Sequence, residues 1–574
     1  MRPSAGEGWG VAGARAPGVG LPGHGPRRDS AATVCLAASV LAVTAAALAV
    51  RLPRLGDRPM HGDEANQAIK AATLWETGVY RYDPQDNHGP TLYWLTLPSL
   101  WISGHTLADS REEHYRIVPV IFGVGLVPLL WGFRRSLGSV AVVGAGVLTA
   151  VSPALVFYAR YYIQETLLVF FTFGAMVCAW RAAKSAAWPW AAAFGLCVGL
   201  MYATKETWVL SGAAAAAGTV LAALWTRIRD GVWPRMAWVR QPRPWLAAVL
   251  AAAAVAVLFY SSLGTHWSGV LDSLRAYLNY WGRGTAGGEH AHPWYFYFER
   301  LLWFRPARGF LWSEGLIAGL AVIGLMEALV GRVGRCGPDP RLVRFLGFYT
   351  VTLAGLYAAI PYKTPWCMLG FAHGLVVLAG AGTWVVLCRL PGRALRLAAA
   401  AVLVAGSGHL AWQCYRLNYV LSSDPRNPYV YAHPSRNVLD LARLLDRLAQ
   451  AAPENHAMVI HVVSAENYWP LPWYLRRFDR NRVGYWSDPA VWARDMAAKP
   501  DPAVIIFTPE AEGAVDAGLR VPYSKGKTYN LRPTDVQPAG SNGPPRGTLI
   551  LSVYVREDLW QRFVAQSGAK LQGE

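Results

Sequence analysis

The sequence predicts a polytopic α-helical membrane protein carrying a water-exposed C-terminal α/β domain. Three observations carry this. The 574 residues are 53% hydrophobic and only 16% charged, where a soluble chain carries about 25% charged residues. Apolar runs at 31–50, 140–156, 246–263 and 395–412 approach the roughly 20 residues that cross a bilayer. From 413 onward the pattern changes to alternating helix-like and strand-like segments. A disordered chain and a disulfide-rich secreted module are excluded.

The elements follow in order. Residues 1–30 are rich in Gly, Pro and Arg and read as a disordered cytosolic tail. The run at 31–50 is long for the apolar core of a signal peptide, although Ala45-Ala46-Ala47 resembles a cleavage site, so an uncleaved anchor is expected. About eleven spans are placed, at 31–50, 117–133, 139–158, 166–181, 188–203, 208–225, 245–263, 311–330, 343–360, 366–388 and 395–412. The net charge of +18 sits almost entirely in the tail and in alternate loops, around Arg134, Lys184, Arg227 to Arg243, Arg332 to Arg344, and Arg389 to Arg396. That is the positive-inside pattern, so the basic balance reports topology and no nucleic-acid partner is implied. The N-terminus then lies in the cytosol and the C-terminal domain outside it. The apolar segment 90–104 is short and interrupted by Pro98. Were it to span, the basic tail and the basic loops would face opposite compartments, so an interfacial helix is expected.

Two outer loops stand out. In 51–116, Ala65, Ala68, Ile69 and Ala72 fall at helical spacing and Gly78 suits a C-cap. The second, 264–310, is rich in Trp, Tyr and Phe, as suits a headgroup-level surface. In 413–574 the helix-like Asn437–Ala451 precedes strand-like 457–463, 503–507 and 548–555. The seven cysteines show no metal-ligand spacing.

The strongest chemical signal is Met60-His61-Gly62-Asp63-Glu64-Ala65, paired carboxylates just beyond the first span. Sugar transfer to a hydroxyl needs a carboxylate to take the acceptor proton. The structural alternative is a helix start, with Asp63 as N-cap and Glu64 in the first turn. His88, in His88-Gly89-Pro90, could help hold a phosphate, or simply close a turn. Tyr158 to Thr166 supplies Arg160 and Glu165, a phosphate contact with a second acid or a structural clamp at a membrane boundary. Thr204-Lys205-Glu206 and Lys363-Thr364-Pro365-Trp366 add lysines that could equally snorkel. Their clustering on one face, where basic residues are otherwise scarce, suits a lipid-phosphate leaving group.

The order of these motifs, joined by Trp469-Pro470-Leu471-Pro472-Trp473-Tyr474-Leu475 and Val483-Gly484-Tyr485-Trp486, resembles the glycosyltransferase C superfamily. Within it the chain is most similar to glycosyltransferase 39 and the dolichyl-phosphate-mannose–protein mannosyltransferases, and to the flippase-activity-associated proteins of bacteria and archaea. The resemblance implies a polyprenyl-phosphate sugar donor, inversion at the anomeric carbon and an outward-facing site. It implies catalytic roles for Asp63, Glu64 and Glu165, with Asp63 as acceptor base. His88 stands where the lipid A aminoarabinose transferases have lysine.

The expectation is an integral-membrane glycosyltransferase of a bacterial or archaeal plasma membrane. His88, Arg160, Lys205, Glu206, Lys363 and Trp366 would bind substrate, and the acceptor would be a glycan, lipid or protein. No cofactor is required, although Asp63, Glu64 and Glu165 could hold a divalent metal. No nucleotide-binding motif occurs. The alternatives are a lipid-linked sugar flippase, which would call for charged groups deep in the spans, and a non-catalytic scaffold for glycan assembly. Asp63→Asn separates them.

Overall fold

The computed structural model describes residues 26–85, 88–185, 187–234, 241–285, 290–306, 309–332, 337–532 and 548–571. The protein is a mostly helical, polytopic membrane protein with a C-terminal sheet domain. Eight helices are long and apolar enough to cross a bilayer, a ninth pair counts as one span across a 60° bend, and Trp188–Tyr202 and Gly315–Val330 are shorter apolar helices. Helical segments thus stand at all eleven expected positions. The first, α1, runs Pro26–Arg51, so helix begins inside the stretch expected to be disordered. The rest of that expected tail lies outside the described residues.

The expected third span is broken. Ser139–Val151 and Pro153–Ala159 meet at Ser152, whose extended backbone and Pro153 stop the helix. The buried Glu314 carboxylate bridges the break, accepting from Ser152 Oγ at 2.6 Å, Ala154 N–H at 2.8 Å and Tyr429 Oη at 2.6 Å. Elsewhere the helices touch through glycine. A Cβ on Gly382 would lie 1.9 Å from the Leu320 carbonyl oxygen, and one on Gly195 2.0 Å from that of Ala248. Only a missing side chain permits such backbone approach.

The first long loop folds as two helices. In α2 (Gly62–Thr77) the buried Ala65, Ala68, Ala71, Ala72 and Leu74 form the inward face, and Gly78 closes the helix at φ +71°. Thr91–Ser103 forms α3, a 13-residue helix with Trp101 and Ile102 exposed. The next helix, α4, spans Glu112–Leu129. The aromatic second loop, expected only as a surface, contains the helix Ser268–Thr285, exposing Trp267, Leu271, Leu274 and Leu278 along one side.

The C-terminal sheet has strands β1 (Ile460–Val463), β2 (Val483–Trp486), β3 (Val504–Phe507), β4 (Tyr523–Lys525), β5 (Tyr529–Arg532) and β6 (Leu549–Arg556). The order is β2-β1-β3-β6-β4, with β5 also on β6. β1 pairs in parallel with β2 and β3, while β6 runs antiparallel to β3, β4 and β5. β2, β4 and β5 escaped the sequence reading, since each is short and half-exposed in whole or in part. The Asn437–Ala451 helix stands where expected. Strand alternation splits the sheet into two faces. Ile460, Val462, Val504, Ile506, Val553 and Val555 share one core with Leu441, Leu445 and the first long loop. Val463, Ile505 and Phe507 pack against Trp492, Met496 and Val515. The domain is also tied to that loop by hydrogen bonds. Met60 N–H donates to Tyr474 Oη at 2.8 Å, Trp473 Nε1 to Glu112 Oε1 at 2.9 Å, and Arg476 to the Ser110 carbonyl at 2.7 Å.

Candidate active site

His61, and not Asp63, caps α2. Its Nδ1 accepts from Asp63 N–H at 3.0 Å, while Glu64 reaches back to accept from His61 N–H at 3.1 Å. This reciprocal box satisfies two helix-start donors and leaves the Asp63 carboxylate 53% exposed. Asp63 is therefore the accessible acid of the pair.

Glu64 is fully buried. Arg116 forks onto it, Nε to Oε1 at 2.8 Å and Nη2 to Oε2 at 2.7 Å. Tyr162 N–H donates to Oε1 at 2.8 Å, and Arg58 lies 3.5 Å away. Burial raises the Glu64 pKa, but the charges of Arg116 and Arg58 and these hydrogen bonds outweigh it, and the carboxyl sits below its usual range. Both Glu64 oxygens are thus occupied, by Arg116, by Tyr162 N–H and by His61 N–H.

Arg160 also departs from expectation. Its guanidinium donates to the carbonyls of Arg51, Pro53 and Arg54 at 2.6, 2.7 and 3.2 Å and to Tyr419 Oη at 3.2 Å. It ties the end of α1 to the C-terminal end of the last apolar helix, Arg393–Val420. This is the geometry of the structural clamp, the first of the two readings to have its contacts in place.

The other expected residues form three groups. Lys205 Nζ donates to Glu165 Oε1. Burial lowers the Lys205 pKa, Glu165 overcompensates, and the ammonium is held above its usual value. Glu165 Oε2 is buried with no partner and, with Thr207, Trp366 and Cys367, lines a cavity of about 20 Å³, room for about one water. Second, His88 Nδ1 lies 2.9 Å from Glu206 Oε2, and Tyr82 Oη donates to Glu206 at 3.3 Å. Glu206 is held below its usual value, burial raising it and His88 outweighing that. Third, the buried Lys363 Nζ donates to the Ile360 carbonyl, and burial lowers its pKa. Trp366, three residues on, brings its ring within 5.8 Å of both His61 and Tyr161.

Asp63, Glu64 and Glu165 do not converge on a metal. Glu64 is taken by arginine and Glu165 by Lys205, and among the described residues no group of three His, Cys, Asp or Glu could hold an ion. The sequence reading missed Arg116 and Arg58, which hold Glu64. An arginine at the start of the second apolar run could have signalled the first. It also missed His433, whose ring stacks on Tyr161 at 5.3 Å and lies 5.0 Å from His61. Burial, then the nearby His61 and Arg58, push its pKa well down. Nothing in its local sequence marks it.

Comparison with known proteins agrees with this architecture. Residues 87–260 match the family model of dolichyl-phosphate-mannose-protein mannosyltransferases, a stretch that contains His88, Arg160, Glu165, Lys205 and Glu206. No curated protein matches the chain in sequence. Among solved structures, ArnT from Cupriavidus metallidurans bound to undecaprenyl phosphate superposes with a TM-score of 0.57 at 15% identity, covering 89% of this chain and 97% of ArnT. The apo state of ArnT gives 0.56 at 16% identity, covering 92% and 98%. The Archaeoglobus fulgidus oligosaccharyltransferase tethered with an acceptor peptide gives 0.51 at 10% identity, covering 90% and 76%. The chain thus shares the fold of ArnT and of the Archaeoglobus fulgidus oligosaccharyltransferase, and its residues 87–260 are similar to dolichyl-phosphate-mannose-protein mannosyltransferases.

Proposed function

We propose that this protein is a membrane glycosyltransferase that moves a sugar from a polyprenyl-phosphate donor to an acceptor hydroxyl on the extracytoplasmic face. The observation that carries the reading is the division of labour in one acidic pair. Glu64 is locked by two arginines, and Asp63 beside it is presented to solvent from a rigid helix start. In this reading Asp63 accepts the acceptor's O–H proton as the oxygen attacks the anomeric carbon. The bond from that carbon to the phosphate oxygen breaks, the electron pair leaves with the polyprenyl phosphate, and the configuration inverts. Lys363 and Lys205, the latter held by Glu165, supply cationic hydrogen-bond donors for the departing phosphate. His88, paired with Glu206, stands with them. ArnT, whose fold the chain shares, is bound to undecaprenyl phosphate, which supports a lipid-phosphate donor.

The test compares polyprenyl-linked sugars by mass spectrometry in host cells carrying wild-type protein or Asp63→Asn at equal expression. Accumulation of one lipid-phosphate sugar in the variant identifies the donor and supports the reading. Unchanged pools and unchanged surface glycans overturn it in favour of transport or scaffolding.

A further inference from the structure

Five arginines meet where two spanning helices end. The first apolar helix ends at Arg51 and the last at Val420. Tyr419 joins them, its Oη donating to the Val50 carbonyl at 2.5 Å. Beside this junction a narrow cavity of about 10 Å³ is lined by Arg54, Arg58, Arg116, Arg160 and Arg436, together with Asn418. It has room for about one water-sized group. Asp57 and Arg436 stand in its wall and also in that of a wider cleft of about 590 Å³.

The charges there do not balance. Five guanidiniums face two carboxylates, Asp57 in the wall and Glu64 behind Arg58 and Arg116. Carbonyl oxygens take N–H groups of Arg116 and Arg160, but they carry no full charge. Arg54 reaches Asp57 only at 3.9 Å, with both side chains more than half exposed, and such a pair contributes little in water. Among the described residues no carboxylate pairs with Arg436. The acids of the wider cleft are taken, Asp440 by Arg443 and Asp446 by Arg477. Burial foremost, with Arg116 and Arg160 adding to it against the pull of Glu64, pushes the Arg58 pKa down to about 10. An excess of buried positive charge of this kind favours a bound anion.

Two residues of the wall carry an unanswered atom. Arg58 Nε is buried and donates to nothing, and Asn418 Oδ1 is buried and accepts from nothing. The two residues are only 6% and 4% exposed, and buried polar atoms are rarely left so. A spare donor and a spare acceptor around an oxygen-sized space suit a hydroxyl, which accepts from one and donates to the other. Arg54 and Arg436 are exposed, and their planar forks match phosphate oxygens. The chain beside the lining residues is apolar and open, with Leu52 and Val420 at 43% and 47% exposure.

We propose that this junction binds an anionic phospholipid with a glycerol headgroup, its phosphate held by Arg54 and Arg436 and a headgroup hydroxyl seated between Arg58 and Asn418. Phosphate oxygens are chemistry that a lipid headgroup shares with free phosphate. The lipid is the occupant because the arginines gather at the ends of two spans, beside open apolar residues, where headgroups lie, and because its hydroxyl suits the narrow cavity. Once bound, its negative charge offsets the repulsion among the guanidiniums that hold Glu64. The lipid then steadies the acidic motif from behind. The site is separate from that of the donor, since His88, Lys205 and Lys363 line no part of it, and it does not rest on the transferase reading.

The test follows ligand retention by native mass spectrometry, and melting temperature alongside it, on the full-length protein in neutral detergent. Phosphatidylglycerol, phosphatidylcholine, inorganic phosphate and polyprenyl phosphate are added separately. One phosphatidylglycerol is expected to stay bound, about ten-fold or more in preference to zwitterionic phosphatidylcholine, and to raise the melting temperature. Arg54→Gln combined with Arg436→Gln should weaken its binding about ten-fold or more, the loss of charged hydrogen bonds. The same double variant should melt like wild type when lipid-free, because both side chains are exposed. Equal retention of the two phospholipids overturns the proposal, as does retention that the double variant leaves unchanged. Inorganic phosphate that raises the melting temperature as much as phosphatidylglycerol overturns the lipid as occupant. Polyprenyl phosphate that displaces phosphatidylglycerol one for one overturns the separation from the donor site.

Discussion

Arg116 holds both carboxylate oxygens of Glu64, at 2.8 Å from Nε and 2.7 Å from Nη2, inside a fully buried site. Its remaining donors go to the carbonyls of Leu55, Arg58 and Pro59. One guanidinium therefore fixes the strand of chain that enters the acidic motif and the second acid of that motif together. Asp63 inherits its position from this clamp. Transition-state groups must be held to within a fraction of an ångström, and an exposed aspartate on a free loop could not be.

Glu64→Gln should therefore act on stability first. It leaves the Arg116 and Arg58 charges buried without an anion, which costs about 3–5 kcal/mol. Asp63→Asn, at a half-exposed site, should change stability by less than about 0.5 kcal/mol while lowering transfer about 100-fold or more. Chemical denaturation of the purified proteins and a transfer assay read the two effects. A Glu64→Gln protein as stable as wild type contradicts the clamp.

Arg160→Gln separates the clamp from a phosphate contact. Three carbonyls lose a charged donor, which predicts a stability loss of about 3 kcal/mol. The affinity for polyprenyl phosphate should stay within about two-fold of wild type, less than the loss of one hydrogen bond. A normal melting profile with a large affinity loss would instead return Arg160 to the donor site.

Lys363 should make donor binding pH-dependent. Burial depresses its ammonium in the free protein, and an approaching phosphate anion favours the charged form. Binding then takes up a proton once the free lysine has begun to titrate, so affinity falls as pH rises through the depressed value, below the usual 10.5. Titration calorimetry with a polyprenyl phosphate between about pH 7 and pH 10 should show this. Lys363→Met should abolish the dependence and weaken binding about 10- to 100-fold.

Hydropathy and charge periodicity place helices, because lipid demands long apolar runs with satisfied backbones. That is why α1 was legible, while α2 and the Asn437–Ala451 helix were legible from apolar residues at helical spacing. The lateral packing was not. Glu165 and Lys205 are 40 residues apart, and Glu64 and Arg116 are 52 apart. No local pattern says that a charge will be spent on its neighbour across the bundle. For the same reason Arg160 looked like a ligand contact although carbonyls use it. The break at Ser152 was also hidden, since the carboxylate that bridges it comes from Glu314, 162 residues away. His61 took the cap from Asp63 because its ring nitrogen reaches the Asp63 N–H while Glu64 reaches back, a geometry that residue preference alone does not rank.

His461 should set the acid limit of the C-terminal domain. Its Nδ1 accepts from Trp492 Nε1 at 3.1 Å, and its ring lies 4.5 Å from Trp486. Burial first, and Lys499 second, depress its pKa from 6.5 to about 4. A depressed histidine is neutral when folded and takes a proton first when unfolded. Its contribution is therefore complete above about pH 7 and is lost as pH falls from 6.5 to about 4, some 3 kcal/mol in all. Protonation would also put a hydrogen on Nδ1 and turn the Trp492 bond into a clash of donors. Denaturation of the full chain, followed by tryptophan fluorescence across this window, should show wild type losing one more proton's worth of stability than His461→Gln. The glutamine can still accept from Trp492 but does not titrate, so equal slopes in the two proteins would place the acid transition elsewhere.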